Sequence, residues 1–314
     1  MASGVDFGIL QNVPRLLIEV DLQPIQGTRF QPTGFPDLGA ATYQLHDGTE
    51  MLVVESAQSM ANRLEAVCWD SVELDWVGPL KGLPYVKVMD DGVMVTCSIL
   101  EAHRLNSEYI ARTKRFLEIA KDLQYEKDKP FDIIRRLVPF LLKYDINSLL
   151  HGVFLEEIAG VIRLPRTLSA FIEAMDVKVV PSGGVKINRV EPGLKEGEGN
   201  VIYGRQEYAA SRIIAYFNLD LAQIRSFGLG TTVENLLIAL AFFKIHRFLE
   251  TGLRLRTACD LEVKKTTLTR PETFQLPELK KLIDELPALI KAVTSEGKFA
   301  KQPVTVVSFK GEKA

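Results

Sequence analysis

Three observations predict an α+β fold for this chain of 314 residues. A strand-like run, Leu16 to Leu22, is followed by an amphipathic helix opening at Ser56, and then by two alternating apolar runs on either side of Asp91-Gly92. Strand, helix and hairpin in that order begin a β-α-β-β-α-β unit of the ferredoxin-like or RRM-like kind.

Each element has its own reason. Between the first strand and the helix lies a loop, Gln23 to Glu50, rich in Gly, Pro, Thr and Asp, and so long a loop in a compact chain points to function or disorder. Met51 to Glu55 is a short apolar entry to the helix. In the helix itself Met60, Leu64, Val67 and Cys68 share one face at a period of 3.6 residues, a stripe for burial. The hairpin, Tyr85 to Ser98, is signalled by its Asp-Gly turn, because both central residues need positive φ. Residues 107–160 read as a mainly helical insertion, with amphipathic stretches broken near Lys129-Pro130. Residues 163–207 read as a second, glycine-rich insertion. Within it Pro181 to Glu207 holds six glycines among mixed charges, has little to bury, and is expected to protrude as a hairpin or flexible finger. Arg212 to Ile224 alternates as a long strand. Thr231-x-x-Glu234 offers a capping box for a helix ending near Gly252, apolar almost all round from 233 to 249 and therefore central. A strand near Ala258 to Thr267, a helix from Leu279 to Val293 and a last strand, Val304 to Phe309, complete one domain with insertions.

Composition excludes several function classes. A hydrophobic content of 46% supports a core without staples, and the three cysteines, Cys68, Cys97 and Cys259, stand far apart with no zinc-ligand spacing. A reducing cytoplasm and no cofactor or metal are expected. The N-terminal residues lack the basic start and apolar h-region of a signal peptide, and the longest apolar run, Leu236 to Phe243, falls short of the ~18 residues of a membrane span. The net charge of -2 is low for a nucleic-acid binder, yet from Lys244 to Arg270 seven Lys or Arg face three acids, so one basic groove is compatible with it.

Candidate binding residues fall in short clusters. Ser59, Asn62 and Arg63 form a polar arc on the first helix, apart from its apolar stripe, and suit a phosphate; pairing with Glu55 and Glu65 is the alternative. Arg29 and Gln31, beside Phe30 and Phe35, offer guanidinium and aromatic faces for unstacked bases, or simply anchor a surface loop. His103, Arg104 and Asn106 follow the hairpin and would emerge at a sheet edge, as binding groups or as a helix cap. No nucleophile is paired with His103, which argues against catalysis. Gly228 and Gly230 resemble a phosphate cradle without the GxGxxG or Walker pattern, so a metabolic α/β enzyme built on them lacks its acid and base. Arg254 and Arg256 would face one side of a strand, with Asp260 and Glu262 as alternative partners. Arg163 and Arg166, and Arg189 and Arg205 in the finger, share that ambiguity.

Taken in order, GTRFQPTGFPDLGAATY, ESAQSMANRLE, EAHRLNSEY, SGGVKINRV with GNVIYGRQEY, and FGLGTT through GLRLRTACDLE resemble one family, the backbone subunit of the type I-G (formerly I-U) CRISPR Cascade complex, within the RAMP superfamily. The likeness runs from about Leu22 to Glu262. It implies an RRM-like palm with a protruding thumb, repeated as a filament of copies along one CRISPR RNA. Such a subunit holds the guide's phosphates and leaves its bases to pair with target DNA, alongside other Cascade subunits and away from any membrane. It implies guide contacts for Ser59, Asn62 and Arg63, and a thumb around Arg189 and Arg205. Related type III backbone subunits cut target RNA with an acidic residue between the first strand and first helix, where this chain carries Asp37. A ribonuclease using Asp37 is therefore the alternative to a non-catalytic subunit.

Overall fold

The computed structural model describes residues 5–35, 37–126, 129–156, 162–193 and 200–309. Its first strand, β1 (Arg15–Pro24), buries Leu16, Ile18, Val20 and Leu22 and turns the alternate residues outward, as a strand covered on one face requires. The long loop after it is partly ordered into strand. A short ladder joins Gly34–Phe35 to Gly39–Ala40, and β2 (Thr42–Gln44) pairs with β3 (Glu50–Glu55), so the apolar run read as a helix entry is itself a strand.

Helix α1 (Ala57–Ala66) starts where the Ser56 hydroxyl accepts from the Ser59 N–H at 3.3 Å, and it buries Met60 and Leu64 as its stripe requires. Each of those side chains contributes about 1.5–3 kcal/mol by leaving water. The hairpin β4 (Tyr85–Asp90) and β5 (Val93–Cys97) turns through Asp91 and Gly92, both at positive φ. Its place differs from expectation. It belongs to a separate three-stranded sheet, where β4 also pairs in parallel with the last strand, β14 (Val304–Ser308).

The insertion after the hairpin is helical through α2 (Lys114–Ala120), α3 (Val138–Tyr144) and α4 (Asn147–His151), and ends in a small ladder of β6 (Val153–Leu155) with β7 (Ile162–Leu164). The segment 163–207, expected as one insertion, divides. Its β8 (Leu168–Met175) is a strand of the main sheet, paired with both β3 and β11 (Arg212–Asp220). Only β9 (Lys178–Lys186) and β10 (Val201–Ala209) stand apart, as an antiparallel ribbon paired along nine residues of each strand. The tip residues 194–199 of the expected finger lie outside the described residues. The long strand expected from Arg212 to Ile224 stops at Asp220, whose carboxylate accepts from the Gln223 N–H and starts α5 (Leu221–Ser226).

Helix α6 (Thr231–Thr251) is central as expected, but the capping box does not form. Gly230 occupies the cap position at φ 87° with no side-chain cap. Phe248 of this helix meets Phe217 of the sheet at 6.3 Å between ring centroids, and α7 (Leu279–Ser295) packs on its far side through Leu282, Leu286, Ile290 and Val293. With β12 (Arg254–Arg256) and β13 (Cys259–Arg270), the main sheet runs β12-β13-β1-β11-β8-β3-β2, and its pairings are antiparallel. Its four central strands β13-β1-β11-β8, with α1 after β1 and α6 after β11, follow a split β-α-β order. No helix among the described residues is long and apolar enough to cross a membrane.

Candidate nucleic-acid interface

Most of the predicted residues settle into two places that adjoin α1. The first surrounds two buried carboxylates. Glu55, 1% exposed at the end of β3, receives hydrogen bonds from the Ser59 hydroxyl and the Arg256 guanidinium, and forms an ion pair with Arg63, whose Nε stands 3.3 Å away. Arg63 also donates to the Leu255 carbonyl at 2.6 Å, and Arg256 to the Gln31 carbonyl at 3.0 Å and that of Val54 at 3.2 Å. Glu207 at the base of the ribbon is held by Arg29 at 3.2 Å and by Arg205. Between them the segment 29–31 is stitched in place, with the Phe30 N–H donating to Tyr208 and that of Gln31 to Ala258. Each carboxylate thus faces two guanidiniums, leaving one positive charge in surplus at each node.

The arc read as a phosphate seat is therefore largely engaged within the protein. Ser59 serves Glu55, and Asn62 accepts from the Gln58 amide at 3.4 Å. Arg63 keeps about a quarter of its side chain exposed (26%), so it retains a face toward solvent.

The second place is an open cleft of about 650 Å³ next to the start of β8. It gathers His103, Arg104, Asn106, Arg163 and Arg166 with Gln58 of α1, residues far apart in sequence. Here the predicted residues differ in availability. Arg104 is 4% exposed and grips Glu65 through two hydrogen bonds of 2.7 Å, at a backbone φ of 53°. Burial raises the Glu65 carboxyl and the Arg104 guanidinium opposes that rise. Arg104 is thus a structural ion-pair partner and not an exposed binding group. Asn106 accepts from the Glu156 N–H at 2.8 Å and so fastens the turn before the helical insertion to its end. His103 is exposed. Arg163 is exposed with its guanidinium 4.7 Å from the centroid of Phe154, and Arg166 donates to Gln58, so both cations have neutral partners.

The remaining candidates stand elsewhere. Gly228 and Gly230 adopt positive φ in the turn before α6, where Lys298 Nζ caps the Leu229 carbonyl at 2.6 Å, so the turn already holds its own cation. Arg254 is exposed on β12 and Arg189 near the end of the ribbon. Asp37 is exposed in the turn between Gly34–Phe35 and Gly39–Ala40. Among the described residues no group of three or more His, Cys, Asp or Glu is placed to hold a metal ion.

Sequence reasoning missed Glu207 as an organising carboxylate, and Gln58, His151, Phe154 and Ser169 in the cleft. Gln58 lies one turn before Asn62 on the same arc and was within reach of helical spacing. The others carry no local signal, because what gives them importance is a neighbour distant in the chain.

Fold and site together define an α+β protein with a cationic, open cleft beside an antiparallel sheet. The model of the family described as CRISPR-associated protein GSU0053 matches residues 16–179, just over half of the chain, and the chain belongs to that family. No curated protein matches it. Among solved structures, a chain described as "CRISPR RNA-guided surveillance complex, pre-nicking" aligns at 15% identity over 81% of this chain and 75% of its own, with a TM-score of 0.46. A second, described as "CRISPR RNA-guided surveillance complex", aligns at 13% identity over 90% and 84%, with a TM-score of 0.37. Thermofilum pendens Csc2 aligns at 12% identity over 95% and 80%, with a TM-score of 0.33.

Proposed function

We propose that this chain is a non-catalytic, guide-RNA-binding backbone subunit of a type I-G Cascade complex, polymerising along one CRISPR RNA and presenting its bases to target DNA. Membership of a CRISPR-associated family supports the setting. One structural observation carries the reading: in a chain of net charge -2, cations from separate segments gather at two places beside α1 with positive charge in surplus. Guanidiniums directed at phosphates give sequence-independent grip, and specificity then falls to base pairing. On this reading the seven-stranded sheet is the RRM-like palm and the β9–β10 ribbon is the thumb that reaches a neighbouring copy.

Purification from cells expressing the cognate CRISPR array tests the proposal. A defined guide RNA should accompany the intact complex, with several copies of this chain per RNA. An intact complex free of RNA, or a single copy per guide, would refute it.

A further inference from the structure

The main sheet buries one face and leaves the other open. Along β1, β11 and β8, the residues that alternate with the buried Leu16, Phe217 and Ala170 lie on the opposite face. Glu19, Tyr216 and Phe171 stand there in register across the three strands, and Glu173 follows two residues along β8 on the same side. The Tyr216 and Phe171 rings are stacked, with 5.0 Å between centroids and 27° between planes. Phe171 is 37% exposed, so the pair keeps aromatic surface toward solvent.

Negative charge flanks that pair. The Tyr43 hydroxyl donates to Glu173 at 2.8 Å and holds it in place, while no hydrogen bond or ion pair among the described residues engages Glu19. The cations of this face are occupied at its margins: Arg212 meets Asp21 at 2.5 Å, Lys265 stands opposite the same Asp21, and Arg15 pairs with Asp220. Burial, then the negative charge of Glu19 and Glu173, pushes the Tyr216 hydroxyl above its usual range, so both carboxylates act at the rings.

Aromatic side chains on the open face of an RRM-type sheet stack bases. Here the phosphates joined to such bases would lie beside two carboxylates, which repel them. Rings and carboxylates together attract a cation instead. A guanidinium answers both, because it stacks flat on an aromatic ring and offers five donors and no acceptor. Small ligands are held in concave sites that enclose most of their surface, whereas a sheet face is flat, so the cation belongs to a larger surface.

We infer that the open face of the main sheet docks an arginine-bearing segment of a protein partner, its guanidinium packed on the Phe171–Tyr216 pair and its charge met by Glu19 and Glu173. The inference goes beyond the guide-binding role proposed above and stands without it.

Full-length protein can be titrated with a fluorescent peptide of alternating arginine and glycine, with its citrulline counterpart, which keeps a planar donor group and loses the charge, and with a single-stranded oligoribonucleotide. The arginine peptide should bind the wild type at least about tenfold more tightly than the citrulline peptide. Phe171→Ala should weaken the arginine peptide about fivefold, and Glu19→Gln combined with Glu173→Gln about tenfold. Asp284→Asn, which neutralises an exposed acid on α7, should leave it unchanged. Affinity for the oligoribonucleotide should fall in none of these variants, and far-ultraviolet circular dichroism verifies their folding. Equal binding of the two peptides, or arginine-peptide binding unmoved by Phe171→Ala and by the double variant, overturns the inference. So does an equal loss in Asp284→Asn, the mark of general charge attraction. Weaker oligoribonucleotide binding by Phe171→Ala also overturns it, and gives the face to nucleic acid.

Discussion

The buried Glu65–Arg104 pair gives the sharpest test of what the structure assigns to Arg104. Substituting Arg104→Ala leaves the Glu65 carboxylate 0% exposed without its bidentate partner, which for a broken buried pair costs about 3–5 kcal/mol. Lys244, itself buried and after Arg104 the strongest positive influence on the Glu65 carboxyl, offsets part of that loss, so the lower end is expected. A second term comes from the backbone. Residue 104 sits at φ 53°, where alanine is strained and glycine is not, so Arg104→Gly should be more stable than Arg104→Ala by about 1 kcal/mol. Replacing both partners, as Glu65→Leu with Arg104→Leu, removes the orphaned charge and should recover much of the loss. Urea denaturation of these three variants, together with Glu65→Leu alone and Arg104→Leu alone, closes a double-mutant cycle with an expected coupling of at least about 2 kcal/mol. An Arg104→Ala cost below about 1 kcal/mol, accompanied by weakened RNA binding, would refute the structural assignment and return Arg104 to the binding surface.

Further outcomes follow from other sites. Burial pushes the Asp145 carboxyl up to about 7, so the folded chain prefers the protonated acid; the preference stabilises below the unfolded value of about 4 and is lost as pH rises through about 7. Relative to Asp145→Asn, the wild type should lose at most about 4 kcal/mol between those limits, and equal pH slopes in thermal melts would show the group is not buried in solution. Taking the difference cancels the opposite, acid-side limb of His151, whose depressed value costs stability as pH falls below its unfolded value of about 6.5. Glu207→Gln should tighten RNA binding, because it releases Arg29 and Arg205, both substantially exposed, from their carboxylate; weaker binding in filter assays would contradict this. Arg63→Gln should lower the slope of log affinity against log salt by about 0.7, the value of one single-strand phosphate contact, and an unchanged slope would remove Arg63 from the interface.

The legible and illegible parts of this chain divide along one physical line. Periodicity and turn chemistry are local, and they located β1, α1, the Asp91-Gly92 turn, α6, β13 and α7 within a few residues. Strand pairing is not local. The hairpin at 85–97 looked like the second and third strands of the main unit, but those places belong to β8 and β11, beyond the whole helical insertion, and nothing in their sequences names β1 as neighbour. The site behaves alike. Residue type and clustering picked out Arg163, Arg166, Arg63 and Arg256, whereas partners such as Gln58, 108 residues from Arg166, come from other segments. Glu55 was weighed against Arg63 alone, since Arg256 is 201 residues away. Arg104 shows the limit most plainly, because an arginine in a polar run looks exposed until Glu65, 39 residues earlier, arrives beside it.

The pairing of β1 also sets a timetable for synthesis. Arg15 meets Asp220 across 205 residues, and Leu17 meets Thr269 across 252. At roughly 5–20 residues per second on the ribosome, β1 waits on the order of 10–40 s for its first neighbour and longer for its second. Throughout that interval Leu16, Ile18, Val20 and Leu22 leave the exit tunnel as an unpaired apolar edge. A nascent chain of this design depends on something to shield that edge, and truncated products ending before residue 212 should be held by chaperones or lost to aggregation rather than accumulate as folded fragments.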